Sequence, residues 1–208
     1  MDKKYWNEYY KNHAKNSEIS NASSFAQFCQ EKFFKDKKKS ILEIGSGNGR
    51  DARYFADNSH KIIAVDQSHI GLEALKDEKV SYVEENFVTM DYNVFSDINV
   101  VYSRFTLHAI KEQECSVVVD KVSRLLKCGE LFAIEARSTK DPLFGQGKEI
   151  APNTWFTDHS RRFIDSDSFI DRILNNNFRI LYFTQENNLS VYKDDNPILI
   201  RAIFQKKG

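Results

Sequence analysis

The sequence predicts an α/β fold, a mostly parallel sheet with helices on both faces. Short apolar runs alternate with helical patterns from Ser40 to Glu135, and a glycine-rich turn joins the first run to its helix. A polar, turn-rich link near the end separates two further apolar runs, which suit an antiparallel hairpin at one edge. The 208 residues favour one domain. Thirty basic residues balance thirty acidic ones, so no whole-domain footprint for nucleic acid is expected, although a local basic patch is compatible. Hydrophobic residues at 41% are enough for a core. No apolar run approaches the ~20 residues of a membrane span. The opening MDKKYWNEYYKNH lacks the apolar stretch of a signal peptide. Cys29, Cys115 and Cys128 are odd in number and lack metal-ligand spacing, so a reduced, cytoplasmic protein without a metal is expected.

In chain order, residues 1–39 are a polar, aromatic cover. Tyr5, Trp6, Tyr9, Tyr10, Phe25, Phe28, Phe33 and Phe34 are spaced for burial on one side of helices. Residues 40–136 hold the βαβ core. Ile41 to Ile44 is the first strand, and Gly49 to Asp57 a helix burying Ala52, Phe55 and Ala56. Ile62 to Val65 is the second strand, followed by a helix capped by Ser68 that buries Leu72 and Leu75. Ser81 to Val83 and Asn99 to Tyr102 are the third and fourth strands. Lys111 to Lys127 is a helix with Gly129 as its C′ stop, and Leu131 to Ile134 is the fifth strand. Residues 137–163 read as an irregular insertion over the substrate. Residues 164–208 hold a capped helix, Asp165 to Leu174, and strands at Arg179 to Phe183 and Ile198 to Gln205.

The most informative segment is ILEIGSGNGRDARYFA, where Gly45, Gly47 and Gly49 alternate between a strand and a helix. Glycine permits positive φ and lets a ligand approach the backbone. Asp66 ends the next strand, placed to accept both hydroxyls of a ribose. A tight turn that needs glycine for packing alone is the competing explanation. The E-I-G-S-G-N-G of Glu43 to Gly49 and the V-D-Q-S of Val65 to Ser68 resemble the first two motifs of class I S-adenosylmethionine-dependent methyltransferases. A dinucleotide dehydrogenase would show G-x-G-x-x-G. VSYVEENF, DINVVYSRFTLHAI and LLKCGELFAIEARS resemble the segments that follow in the same family.

This resemblance implies a Rossmann-like, doubly wound, seven-stranded sheet with an antiparallel last strand, and S-adenosylmethionine as cofactor, leaving S-adenosylhomocysteine. It implies cofactor contacts from Glu43, Gly45, Ser46, Gly47, Asn48, Gly49, Arg50 and Asp51. Asp66, Gln67 and Ser68 would surround the ribose, Asn86 and Phe87 the adenine, and Ser103, Arg104 and Phe105 the methyl-transfer cavity. Asn86 stands where the family often has Asp. The Asn/Asp-Pro-Pro-Tyr motif of amino-group DNA methyltransferases is absent. Trp6 and Tyr10 could close over the cofactor, or their helix could simply pack on the sheet.

The stretch EARSTKDPLFGQGKEIAPNTWFTDHSRRF concentrates arginines. Arg104, Arg137, Arg161 and Arg162, with His108, Phe144 and His159, suggest a grip on an anionic small-molecule acceptor. Ion pairs with Asp158, Asp165 or Asp167 are the alternative. His108, His159 and Asp158 are the candidate proton acceptors, although a strongly anionic acceptor would need none. The W-x-x-Y-Y start with the D-x-L-F-G-x-G and D-H-x-R-R-F segments is similar to methyltransferases of bacterial capsular and surface-glycan biosynthesis. That likeness implies methylation of an oxygen on an anionic sugar or a phosphorus-containing glycan precursor. Rival readings are a non-catalytic binding subunit of the same fold, an NAD-dependent oxidoreductase, and a methyltransferase acting on another metabolite or RNA.

Overall fold

The computed structural model describes residues 3–13, 20–74 and 76–208. Seven strands form one sheet in the order β3-β2-β1-β4-β5-β10-β9, and a separate three-stranded sheet comprises β6, β7 and β8. The chain divides into two compact units, one ending at Ser103 and the other Arg104–Gly208.

The first unit opens with α1 (Lys3–His13) and α2 (Ser24–Cys29), which continues as a π-helical turn through Phe34. β1 (Ser40–Ile44), β2 (Lys61–Asp66), β3 (Val80–Glu84) and β4 (Val100–Arg104) run parallel. They alternate with α3 (Arg50–Asp57) and α4 (His69–Ala74). Helix α3 buries Ala52, Phe55 and Ala56, as its 3–4 spacing predicts. The Ser68 hydroxyl accepts the Gly71 N–H (3.1 Å) and caps α4. Leu72 is buried; Leu75 lies outside the described residues. The predicted one-sided burial of the early aromatics holds for Phe25 and Phe34, whereas α1 has no fully buried residue. Phe25 and Phe55 pack on the Tyr102 ring at 5.0 and 5.1 Å. Burying each such ring contributes about 1.5–3 kcal/mol.

In the second unit, α5 (Glu112–Leu125) begins where the Glu114 carboxylate accepts the Lys111 N–H (2.8 Å). Gly129 is not its C′ residue: the helix stops at Leu125, and Gly129 sits in the turn before β5 (Leu131–Arg137). Of residues 137–163, the part through Gly147 is irregular as expected and the remainder is not. It folds into β6 (Lys148–Ala151), β7 (Thr154–Phe156) and β8 (Ser160–Arg162), all antiparallel. Pro152 and Asn153, the latter at φ +55°, make the first of its two turns, and β-forming residues flank them. Helix α6 (Ser166–Asn175) is capped by Asp165, whose side chain accepts the Ser168 N–H. β9 (Phe178–Glu186) and β10 (Leu199–Lys206) are antiparallel, and β10 is also antiparallel to β5. Phe132, Phe169, Phe178 and Phe204 form its aromatic core. Among the described residues no helix is long and apolar enough to cross a membrane, and no group of three or more His, Cys, Asp or Glu is placed to hold a metal.

Candidate active site

The carboxyl ends of β1, β2 and β4 carry most of the residues expected around a cofactor. After β1 the chain turns through Gly45, Gly47 and Gly49, all at positive φ. Gly49 caps α3 at φ +76° in the left-handed region, where a side chain would be strained. Gly47 leaves room above its backbone that the Tyr10 phenol enters: a Cβ built there would lie 2.2 Å from the hydroxyl oxygen. Trp6 stacks on Tyr10 with ring centroids 6.2 Å apart. Helix α1 therefore covers the glycine turn, with both aromatics half-buried.

Asp66 holds this turn. Its Oδ2 accepts the Gly47 N–H (2.9 Å) and its Oδ1 the Ser68 N–H (2.8 Å). Burial raises the Asp66 carboxyl above the usual carboxylate range, while the N–H groups of Ser68, Gly47 and Gln67 act against that rise. Each oxygen keeps a further lone pair for a ribose hydroxyl. Burial also raises the Tyr10 phenol well above its ordinary value, with the Asp66 carboxylate adding to the effect. Three buried polar atoms here have no hydrogen-bond partner among the described residues: Ser46 Oγ, Gln67 Nε2 and Ser103 Oγ. Orphaned buried donors of this kind are costly, about 1–3 kcal/mol each, unless a ligand satisfies them. Glu43 is buried at the end of β1. The Asn48 side-chain oxygen accepts the Arg50 N–H (3.3 Å). Asn86 uses its side-chain oxygen on the Val88 N–H (2.9 Å), which leaves its NH2 as the group for an adenine edge. The Phe87 ring is fully buried, so what this residue can offer a ligand is backbone.

Asp51 is different. Its carboxylate accepts the Ser23 N–H and hydroxyl (2.7 Å each) and the Tyr102 hydroxyl (2.8 Å). It ties the start of α2 to α3 and β4, a structural task that occupies the side chain assigned to cofactor.

The arginines of the second unit are likewise engaged. Arg104 donates through Nε to Glu135 (3.1 Å) and through Nη2 to the Ser190 hydroxyl (2.6 Å). Its guanidinium lies 4.2 Å from the Phe105 ring centroid. Phe105 adopts φ +56°, a left-handed turn out of β4 that costs about 1–3 kcal/mol. Its N–H bond to the Glu135 carbonyl (2.8 Å) fixes that turn. Glu135, a buried acid in an otherwise apolar strand, also receives Arg201 Nε (2.8 Å). Arg137 pairs with Asp141 (2.9 Å) and with Asp195. Arg162 reaches the carbonyls of Ile110 (2.8 Å) and Leu107 (2.6 Å), and the Glu112 carboxylate. Ion pairing thus describes Arg104, Arg137 and Arg162, with partners other than Asp165 or Asp167.

The proposed proton acceptors fit that role poorly. Partial burial works to raise the Asp158 carboxyl, but bonds from Thr157 and His159 outweigh it and leave a value of about 2, too acidic for a base near neutrality. His159 lies 3.0 Å from Asp158 and is lowered by burial and by Arg161. His108, on the 3-10 turn Leu107–Ala109, is buried, and its Nδ1 accepts the Arg137 backbone N–H (3.1 Å). Burial first, then Arg137, Arg161, Arg162 and His159, push its ring well below the ordinary histidine value. Arg161 lies 3.9 Å from Asp158 and faces Trp155 across β7 and β8. Trp155 was not singled out by any motif or spacing in the sequence. Its indole Nε1 is buried without a hydrogen-bond partner among the described residues, and its ring meets Phe144 edge-on at 5.8 Å.

The sheet order, the antiparallel last strand and the glycine turn with its acid are those of the class I S-adenosylmethionine-dependent methyltransferase fold. A family model described as a methyltransferase domain matches residues 41–129. The protein uses S-adenosylmethionine as methyl donor, and the three orphaned polar atoms fit that ligand. No curated protein matches the chain in sequence. Among solved structures, an S-adenosylmethionine-dependent methyltransferase from Listeria monocytogenes aligns with a TM-score of 0.67 at 18% identity, covering 89% of this chain and 99% of that one. One from Clostridium acetobutylicum aligns at 0.70 with 15% identity, covering 89% and 92%. The Burkholderia thailandensis 1,6-didemethyltoxoflavin-N1-methyltransferase, solved with 1,6-didemethyltoxoflavin and S-adenosylhomocysteine, aligns at 0.69 with 14% identity, covering 94% and 84%. At these identities the likeness is one of fold.

Proposed function

We propose that this enzyme methylates an oxygen of a small anionic acceptor, a sugar or phosphorus-containing glycan precursor, in the cytoplasm. S-adenosylmethionine supplies an electrophilic methyl group on a positive sulfur. Asp66 and Gln67 hold the ribose, the 45–49 turn and Glu43 border the amino-acid end, and Asn86 offers its NH2 to adenine. Ser46 and Ser103 give their hydroxyls to the same ligand. Tyr10 and Trp6 keep water from the turn. Alignment of nucleophile, methyl and sulfur in a dry site supplies much of the rate.

The observation that carries the acceptor's charge is the meeting of cationic and N–H donors at β7, β8 and the His108 turn. Arg161 pairs with Trp155 across β7 and β8 and lies 3.9 Å from Asp158, and the charges of Arg161 and His159 both act on the His108 ring. Trp155 and Phe144 add aromatic faces suited to the apolar side of a sugar ring. The unpartnered Trp155 N–H asks for an acceptor atom. The test is turnover of methyl-labelled cofactor against a panel of sugar carboxylates, sugar phosphates and neutral sugars. Arg161→Ala is expected to raise KM for the anionic members about tenfold or more while S-adenosylhomocysteine affinity is unchanged. Preference for neutral acceptors, or equal loss of both affinities, overturns the reading.

A further inference from the structure

We propose that His108 serves the acceptor as a hydrogen-bond donor through Nε2–H rather than as a base, and that Arg162 is the residue that positions it. The inference rests on the anionic acceptor proposed above and assigns the division of labour within that site.

The geometry begins with the ring itself. Its Nδ1 lone pair is taken by the Arg137 N–H at 3.1 Å, which places the proton of the uncharged ring on Nε2. Nε2 then has no lone pair in the ring plane with which to accept a proton. It can only donate.

The backbone around His108 is fixed from β8. Arg162, 4% exposed, donates Nη2 to the Leu107 carbonyl and Nε to the Ile110 carbonyl, on either side of His108. Glu112 accepts its remaining nitrogen and is also paired with Arg172. The planar fork of a guanidinium spans two carbonyls in a way an ammonium does not. With its donors committed to the turn, Arg162 acts on the acceptor through His108.

The charged surroundings favour the same role. After burial, the charges of Arg137 from β5, Arg161 and Arg162 from β8, and His159 just before β8 act on the ring and disfavour its charged form. The nearby acids Asp141, Asp195 and Glu112 are engaged by Arg137, Arg162 and Arg172. An imidazolium here would stand among guanidinium groups, whereas an uncharged N–H adds a donor without adding charge. The chemistry balances without a base when the acceptor arrives as its anion. An oxygen lone pair forms the new C–O bond, the C–S bond breaks with its electrons staying on sulfur, and no proton remains to be removed.

Long-range proton–nitrogen spectra of the 15N-labelled full chain from pH 5.5 to 8 test the ring directly. Nδ1 is expected as an unprotonated acceptor and Nε2 as protonated throughout, with methylphosphonate shifting the Nε2–H signal. His108→Gln, whose amide N–H reaches the Nε2 position, should keep methylphosphonate affinity within about threefold, and His108→Ala should lose roughly tenfold. Arg162→Met should lose as much while still binding S-adenosylhomocysteine, and Arg162→Lys should recover part of the loss. If Arg162→Met does not fold, the His108 pair decides. A His108 ring that titrates near 6.5, or a His108→Gln variant as weak as His108→Ala, overturns the proposal. A wild type that does not bind methylphosphonate, with the Nε2–H ring intact, overturns the anionic-acceptor reading instead.

Discussion

The strand ends of the first unit and the charged frame of the second treat their buried polar groups in opposite ways. Up to Ser103, three buried side-chain atoms at the strand ends (Ser46 Oγ, Gln67 Nε2 and Ser103 Oγ) have no partner among the described residues. From Arg104 onward, buried Glu135, Arg137, Asp141, Arg162 and Arg201 are bound to one another, to nearby acids or to backbone carbonyls. The first arrangement gives up stability that a ligand bonding to these atoms would restore. The second secures its own frame and leaves few donors for an acceptor. A binding site is therefore better recognised by what its neighbours leave unsatisfied than by how many arginines it holds.

The comparison breaks most visibly at Glu135. Glu135→Ala leaves Arg201 and Arg104 without their shared carboxylate, and should cost about 3–5 kcal/mol in urea unfolding. A loss below 1 kcal/mol would mean that this frame is peripheral. Next in size, Asp66→Ala should weaken S-adenosylhomocysteine roughly 10- to 100-fold by calorimetry, because charged hydrogen bonds are worth about 1.5–3 kcal/mol. Wild-type affinity in that variant would remove Asp66 from the ribose. Smaller still, Ser103→Ala should weaken the same ligand a few-fold without lowering the melting temperature of the free protein, since an orphaned hydroxyl contributes little until it is bound. A clear loss of stability would show that Ser103 is structural.

The smallest effect concerns pH and touches both units. His60, whose ring is held by the Lys39 N–H and Gln30, is lowered by burial and then by Lys39. His108 is lowered by burial and then by Arg137. Below about pH 6.5 the unfolded chain takes up protons that these folded rings refuse, so stability rises as pH rises there and levels off above about pH 7. Melting temperatures from pH 5 to 8 should show that slope, and His60→Gln should make it shallower. An unchanged slope would assign the effect to other groups.

Much of the fold was legible because local rules produce it. Strand and helix followed from hydrophobic period, Ser68 and Asp165 from capping, and the glycine turn from its alternation. Two local signals misled. Gly129 looked like a helix stop but serves the following turn, and the glycines and prolines of 137–163 hid a small sheet between them. In the site, Asp66 and the 45–49 turn stand together as expected. Asp51 does not, because Ser23 and Tyr102, 28 and 51 positions away, claim its carboxylate. Glu135 and Arg201 left a faint trace in the sequence, each a charged residue inside an apolar strand.

By itself the sequence determined the order of strands and helices and the glycine turn after β1, since both depend on residues a few positions apart. Only the tertiary structure decided which partners the buried arginines take and which nitrogen of His108 accepts the Arg137 N–H. Those outcomes depend on partners such as Glu135 and Arg201, or Arg162 and Leu107, separated by 66 and 55 positions. Charge pairing and tautomer choice respond to distances of a few ångströms, which the chain sets only once it has folded.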